Sequence, residues 1–454
     1  MTATPVSPTP PGATASPRLR RLDLASTDPV AVAEREALFR RGAVPDESVR
    51  AAAREIVDDV RTRGAAAVQD ANQRFGGALA DGRLVIEPPE LRAARDQLSS
   101  EDREALDEAI ANVRRFAEPQ LPPTTRTRIV EGIEIERRWR PLDRVGCYVP
   151  GGSAPYPSSL VMTVVPARVA RVGSIVVASP AGPDGTVHPV LLGAAGLLEV
   201  DAMLVAGGAQ AIGALACGLA EGAFDPVDRI VGPGNAWVTA AKLEVAGIVG
   251  IDLPAGPSEG MVLADDSADP VLVAADLVTQ AEHGPDSPAI LVTTSEALAD
   301  AVEDEMARLL PTLERHDILA QALAIHGRIA LAPDLATAIA FVDAYAPEHL
   351  SIDVQDAEAA VEQVRHAGSI FVGPWAPESA GDYATGANHV LPTGGLARSC
   401  DSLGVEAFGR FTQIQRVNER GLGAIRATVE RLATVEGLTA HRNAIATRFR
   451  DTDR

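Results

Sequence analysis

The sequence predicts an α/β protein with two parallel-sheet domains, an N-terminal helical region and a small helical C-terminal tail. Three observations carry this. At 454 residues the chain exceeds what one hydrophobic core usually fills. Hydrophobic residues make up 46 % but aromatics only 4 %, so the core must be Ala, Val, Leu and Ile. Short, continuously apolar runs also alternate with Gly/Pro turns and alanine-rich helical stretches, the pattern of strands covered on both faces.

Residues 1–20 are expected to be a disordered tail. Met1 to Pro17 is mostly Pro, Thr, Ala and Ser, with no basic residue before Arg18 and no apolar run, which excludes a secretory signal. Residues 21–140 read as the N-terminal helical region, expected to pack with the second α/β domain. There Asp46-Glu47-Ser48 precedes an amphipathic stretch to Arg63, and Ser99 to Asp102 caps another reaching Phe116. Pro119 to Pro123 breaks the helices, and Arg128 to Arg140 alternates like a strand pair. In residues 141–256, Ser174 to Ala178, Ala202 to Ala206 and Arg229 to Val231 read as buried strands of the first sheet domain. In 257–404, Met261 to Ala264, Ala289 to Val292, Arg328 to Leu331 and Ser369 to Val372 repeat the theme. Residues 405–454, rich in Arg and Glu, read as a helical tail too small to fold alone, expected to reach a partner subunit.

The composition excludes several function classes. A formal net charge of −21 argues against nucleic acid or an anionic membrane surface as partner. Lys242 is the sole lysine, so Schiff-base chemistry would rest on that one residue. Cys147, Cys217 and Cys400 are widely separated and odd in number, forming neither a disulfide framework nor a metal knuckle. No apolar run approaches the roughly 18 residues of a membrane span. A cytoplasmic protein is expected.

The residues that can do chemistry cluster in a few segments. Glu348 and His349 stand side by side in Ala346-Pro347-Glu348-His349-Leu350, where Pro347 forces an extended entry and the following alternation reads as a strand. A carboxylate and an imidazole at a strand mouth can supply a general base, a general acid or both, although a lone Glu-His dipeptide is more often a surface pair. Gln280-Ala281-Glu282-His283 closes a helix that starts near Asp269-Pro270 and is stopped by Gly284-Pro285. Gln280 and His283 thus share one face of its last turn, as metal ligands or as a simple helix cap. Gly381 to Gly395 shows neither helical nor strand period and is dense in Asp, Asn, His and Gly, which suits a site loop. Within it Asp382 could join a metal shell and His389 could contact substrate. Gly232-Pro233-Gly234-Asn235-Ala236-Trp237 is an incomplete dinucleotide fingerprint, and Gly207 to Gly213 lacks the Lys-Ser/Thr of a P-loop. Both still place glycines between a strand and a helix N-terminus, where backbone N–H groups can meet a pyrophosphate.

Together these segments resemble the histidinol dehydrogenase family from about Leu22 to Arg448. The resemblance rests on Val145 to Gly152, Gly207 to Ile212, Val231 to Asn235, Leu253 to Glu259, Gln280 to His283, Ala346 to His349 and Asp382 to Pro392. It implies two incomplete Rossmann-like domains, the first on the NAD side and the second carrying zinc and the acid/base pair. It implies a zinc ion on Gln280, His283, Asp382 and His441, with His441 reaching across a homodimer. Glu348 and His349 match the acid/base pair. Ser258, Gln280, His283, His349, Asp382, His389, Glu436 and His441 match contacts to L-histidinol, and Tyr148, Gln210 and Asn235 match contacts to NAD. Four-electron oxidation of an alcohol to an acid, through an enzyme-held aldehyde and with two NAD, would follow. Leu253 stands where the family often has Met, a swap of similar volume.

Two rivals differ in kind. A sister dehydrogenase for another small alcohol, such as a sulfonated diol, should lack imidazole-reading residues, yet His389 and Glu436 are present. A zinc hydrolase using Glu348 to activate metal-bound water would leave the glycine turns unexplained.

Overall fold

The computed structural model describes residues 18–151, 154–219 and 224–449. The expected disorder of Met1 to Pro17 and the role of Gly152 lie outside these residues. Among the described residues the strands form three sheets, two of six strands and one of three. The first runs, in spatial order, Val85–Ile86, Ala202–Val205, Ser174–Ser179, Arg144–Tyr148, Arg229–Val231, Gly250–Ile251. The second runs Arg20–Asp23, Arg328–Leu331, Ala289–Thr293, Gly260–Ala264, His349–Asp353, Ser369–Val372. In these two sheets all pairings are parallel except that of the short Val85–Ile86. Leaving out the N-terminal strand of each sheet, the same wiring occurs twice: the third, second, first, fourth and fifth strands in chain order lie side by side. The α/β class is as the alternation of apolar runs predicts, because strands such as Ala202–Val205 and Ala289–Thr293 are buried at every position.

Three expectations need correction. The N-terminal helices pack on the first sheet domain, not the second. Ala53, Val57 and Val60 of the helix Glu47–Arg63 join Ile212, Ala214, Leu215, Ala240 and Ala241 in one core. Gly213 makes the close approach possible, since a Cβ there would lie 3.3 Å from Val60 Cβ. The strand Arg20–Asp23 and the helix Pro29–Phe39 do join the second sheet domain. Residues 19 and 20 do not belong to a disordered tail, for Leu19 is buried and Arg20 opens an edge strand. Nor is 405–454 all helix. Gly409–Val417 is a strand, pairing antiparallel with Ile133–Pro141 of the hairpin that Arg128 to Arg140 announced. Its run of Phe, Thr, Ile and Val spaced by polar residues suits a strand, and pairing satisfies the hairpin's open edge.

The sole lysine is structural. Lys242 Nζ donates to Asp252 Oδ1 at 2.7 Å and to Gly232 O at 2.5 Å, and Asp252 Oδ2 accepts from Gly232 N at 2.7 Å. Both side chains are only 2 % exposed. Lys242→Met would strand a buried carboxylate, a loss of about 3–5 kcal/mol. Chemical denaturation should show it as a lower midpoint, and an unchanged midpoint would mean the pair contributes nothing.

Candidate active site

The strands Gly260–Ala264 and His349–Asp353 are neighbours in the second sheet, with Gly260 opposite His349. Glu348 and His349 therefore stand at the amino edge of that sheet. The helix Pro270–Glu282 leaves the other end of the sheet and returns to this edge, bringing Gln280 and the cap residue His283 beside His349. Two local features set the pair. Ala346 ends the helix Leu335–Tyr345 at φ 53°, ψ 69°, a left-handed conformation uncommon for alanine. Gly260 leaves room for the Gln280 amide, since a Cβ there would lie 2.4 Å from Gln280 Oε1.

Glu348 and His349 are buried, at 6 % and 3 % exposure. Glu348 Oε2 accepts from Ser258 Oγ at 2.8 Å and from Glu259 N at 3.0 Å. Gln280 Nε2 donates to Ser258 Oγ at 3.3 Å, and His349 Nδ1 lies 3.1 Å from Gln280 Oε1. With Nδ1–H donating to that amide oxygen, Nε2 carries the lone pair. This Nε2 is buried and has no hydrogen-bond partner among the described residues. Burial pushes the His349 imidazole down to about 3, so the ring is neutral near neutral pH. Burial pushes the Glu348 carboxyl up to about 8, against the lowering by its two donors. Burial also lowers the pKa of His283, but the hydrogen bond to Glu378 and the nearby charges outweigh it and raise the group to about 9.

Asp382 lies in the last turn of the short helix Glu378–Tyr383, so the segment from Gly381 begins in a helix rather than in a loop. His283 Nε2 is 3.1 Å from Glu378 Oε1 and 3.8 Å from Asp382 Oδ2. His283, Glu378 and Asp382 bring ligand atoms within 4.8 Å of one another. His389 Nδ1 donates to Asp382 O at 2.9 Å, and its Nε2 lies 3.3 Å from Ser159 Oγ. Burial lowers the His389 pKa. Ser258, Gln280, His283, Glu348, His349, Asp382 and His389 thus gather at one place. A mixed nitrogen and oxygen donor set there fits zinc.

Glu378 was not predicted. It is buried, and its Oε1 also lies 3.5 Å from His349 Nδ1. Its spacing of four residues before Asp382, just after Pro377, places both carboxylates on one helix face and was a legible signal. Glu436 and His441 do not join the cluster within one chain. Glu436 is the exposed cap of the helix Glu419–Val435, and His441 is exposed on Thr439–Ala446.

Tyr148, Gln210 and Asn235 meet at the carboxyl edge of the first sheet, around the break in strand order where open α/β sheets bind ligands. Tyr148 Oη accepts from Gly208 N at 3.2 Å, and Gln210 Nε2 donates to Asn72 Oδ1 at 3.2 Å. Both are buried, whereas Asn235 is exposed and caps the helix Ala236–Val245 through Trp237 N and Val238 N. Gly232, at φ 118°, lets this loop touch Tyr148, whose carbonyl oxygen would lie 2.1 Å from a Cβ. Two helix N-termini therefore converge on this edge, a fit for a pyrophosphate.

The family model for histidinol dehydrogenase matches residues 39–449. The chain belongs to the histidinol dehydrogenase family. A histidinol dehydrogenase from Leifsonia xyli subsp. xyli is 46 % identical over 437 residues, which are 95 % of this chain and 100 % of that protein. One from Halobacterium salinarum is 45 % identical over 418 residues, 92 % of this chain and 97 % of its own. The crystal structure of histidinol dehydrogenase from Elizabethkingia anophelis superposes with a TM-score of 0.89 at 33 % identity, covering 97 % of this chain and 100 % of that one. Membership of the histidinol dehydrogenase family makes the chain an oxidoreductase of histidine biosynthesis. Among the described residues no helix is long and apolar enough to cross a membrane.

Proposed function

We propose that the chain oxidises L-histidinol to L-histidine with two NAD, through an enzyme-held aldehyde, in a cytoplasmic zinc-dependent homodimer. The observation that carries this is His349 Nε2, a buried neutral base without a partner, whose other nitrogen is fixed on Gln280. Such a nitrogen is aimed to take the proton of a substrate hydroxyl. It takes one from the alcohol in the first oxidation, returns it to the aldehyde oxygen as water adds, and takes one from the hydrated aldehyde in the second. Glu348 takes the proton of the water that adds to the aldehyde. Separate bases suit the task because hydration and hydride loss present their protons at different atoms.

Gln280, His283 and Asp382 would hold zinc together with His441 of the partner subunit. A zinc ion held by these residues would supply a Lewis acid that orients the substrate beside His349 and Glu348. Because His283 holds a proton against Glu378 up to about pH 9, metal binding at neutral pH must release it. Ser258 and His389, with Glu436 of the partner subunit, would line the substrate. Tyr148, Gln210 and Asn235 would hold NAD, which would supply the hydride acceptor. The dimer is supported by apolar surface that a lone chain leaves open, including Trp375 at 94 % and Val435 at 66 % exposure. The tail is supported in the same role by its sparse burial, with only Gly421 and Ala433 buried in the helix Glu419–Val435.

Steady-state NADH production from histidinol, compared with other small alcohols and repeated after zinc removal by a chelator, tests the proposal. Absence of NADH from histidinol would sink it. Glu348→Gln should leave aldehyde formation nearly intact while slowing aldehyde oxidation by about 10²-fold or more. Only the ionised carboxylate is a base, so the second oxidation should rise with pH towards about 8, and a bound cation should shift this window lower. A second oxidation that shows no fall towards acid pH, with the cation bound or absent, would contradict the role.

A further inference from the structure

Arg41 lies in the turn between the helices Pro29–Phe39 and Glu47–Arg63, far from Glu348 in sequence. Its guanidinium forms a fork on Glu259, with Nε donating to Oε2 and Nη2 to Oε1, both at 2.7 Å. The guanidinium carbon sits 3.3 Å from the centroid of the Tyr345 ring. The Glu259 side chain is 4 % exposed, and its carboxylate also accepts from Gly394 N at 3.0 Å and Tyr345 Oη at 3.4 Å. Four segments of the chain thus meet at one buried carboxylate.

The main chain of Glu259 faces the other way. Its N–H donates to Glu348 Oε2 at 3.0 Å, and its carbonyl accepts from His349 N at 3.2 Å. Arg41 Nη2 also reaches Ala346 O, at 3.5 Å, in the left-handed residue that begins the catalytic turn. A strained residue keeps such a conformation only where its surroundings over-determine it. No proton transfer in the proposed reaction uses Arg41 or the Glu259 side chain.

We infer that Arg41 and Glu259 are positioning residues for Glu348. Their buried fork locks the Ser258-Glu259 turn, whose hydroxyl and N–H hold Glu348 by one oxygen and leave the other to face water. The inference rests on the reading of Glu348 as the base for water. The His349 ring is tied to the turn only at one remove, through Gln280 and its 3.3 Å contact to Ser258 Oγ, and it also rests near the Phe371 ring, 6.1 Å between centroids. A shift of the turn therefore falls first on the Glu348 carboxylate, which the turn holds directly at 2.8 and 3.0 Å. Arginine is required rather than any cation, because a lysine ammonium cannot bridge both carboxylate oxygens in one plane.

The test uses zinc-loaded Arg41→Lys and Glu259→Gln enzymes, with Glu348→Gln as reference and histidinol and histidinal supplied separately. Both variants should slow histidinal oxidation by about tenfold or more, as a small misplacement of a reacting group does. Formation of the aldehyde at saturating histidinol and the zinc content should change less than about twofold. Glu259→Gln keeps an oxygen for Gly394 N; should it fail to fold, Arg41→Lys, which keeps a cation over Tyr345, carries the measurement. Equal slowing of both oxidations, or a lower thermal midpoint with both rates unchanged, overturns the inference. If Glu348→Gln slows the second oxidation selectively and these variants do not, the positioning role alone falls. If Glu348→Gln shows no selectivity, the reading of Glu348 falls and this inference with it.

Discussion

His349→Ala is expected to lower both oxidations by about 10²–10⁴-fold, the span of a general base. The effect should be the largest of any single substitution at the strand mouth, because each hydride loss requires a proton to leave the reacting oxygen. His349 suits both turnovers for a physical reason. Burial disfavours its charged form, so the ring meets each substrate hydroxyl as a neutral base. His349→Asn is expected to behave alike, since an amide can keep a hydrogen bond to Gln280 but cannot take a proton. Single-turnover measurement of each half-reaction checks this. If either variant slows one half-reaction and spares the other, His349 is not the shared base.

His441→Ala should lose zinc affinity by more than the roughly 10–100-fold that removing an outer-shell partner costs. The sharper result comes from mixing. Inactive His441→Ala and inactive His349→Ala proteins, after subunit exchange, should regain about a quarter of wild-type activity, since half the dimers are mixed and each holds one intact site. Zinc content should stay near half of all sites before and after mixing, since His349→Ala leaves every proposed zinc ligand in place, so only activity reports the shared site. No recovery, with mixed dimers shown to be present, would mean that the tail serves its own chain. The geometry motivates this experiment, because His283, Glu378 and Asp382 converge while His441 stays exposed on Thr439–Ala446.

Much of the site was legible because its chemistry is local. Gln280 and His283 share a helix turn, and Glu348 and His349 share a strand entry; both facts follow from backbone periods of a few residues. The inner strands of both sheets were legible for the same reason, as short apolar runs bounded by Gly and Pro, whereas Arg20–Asp23, Val85–Ile86 and Gly250–Ile251 were not read as strands. Glu378 was missed although its spacing to Asp382 was readable, because a lone Pro-Glu at a loop end has many ordinary uses. Arg41 and Glu259 could not be paired from sequence at all. They are 218 residues apart, and nothing local marks an arginine in a turn as the partner of a buried glutamate.

The side on which the N-terminal helices pack was likewise beyond a linear reading. The stripe of Ala53, Val57 and Val60 declares a buried face, but hydrophobic burial has no direction, and either alanine-rich sheet domain could have received it. Shape chose the first, where Gly213 opens room for Val60. The strand Gly409–Val417 joined a hairpin for a similar reason, since an open edge of backbone groups takes whichever strand reaches it. By itself the sequence determined the α/β class, the family and the reactive groups, because these depend on residue type and short-range spacing. Only the tertiary structure decided which groups meet, which ring nitrogen of His349 is left free, and which buried ion pair adjoins the turn that contacts Glu348. Those are matters of long-range contact, set by packing and desolvation across segments that the chain keeps far apart.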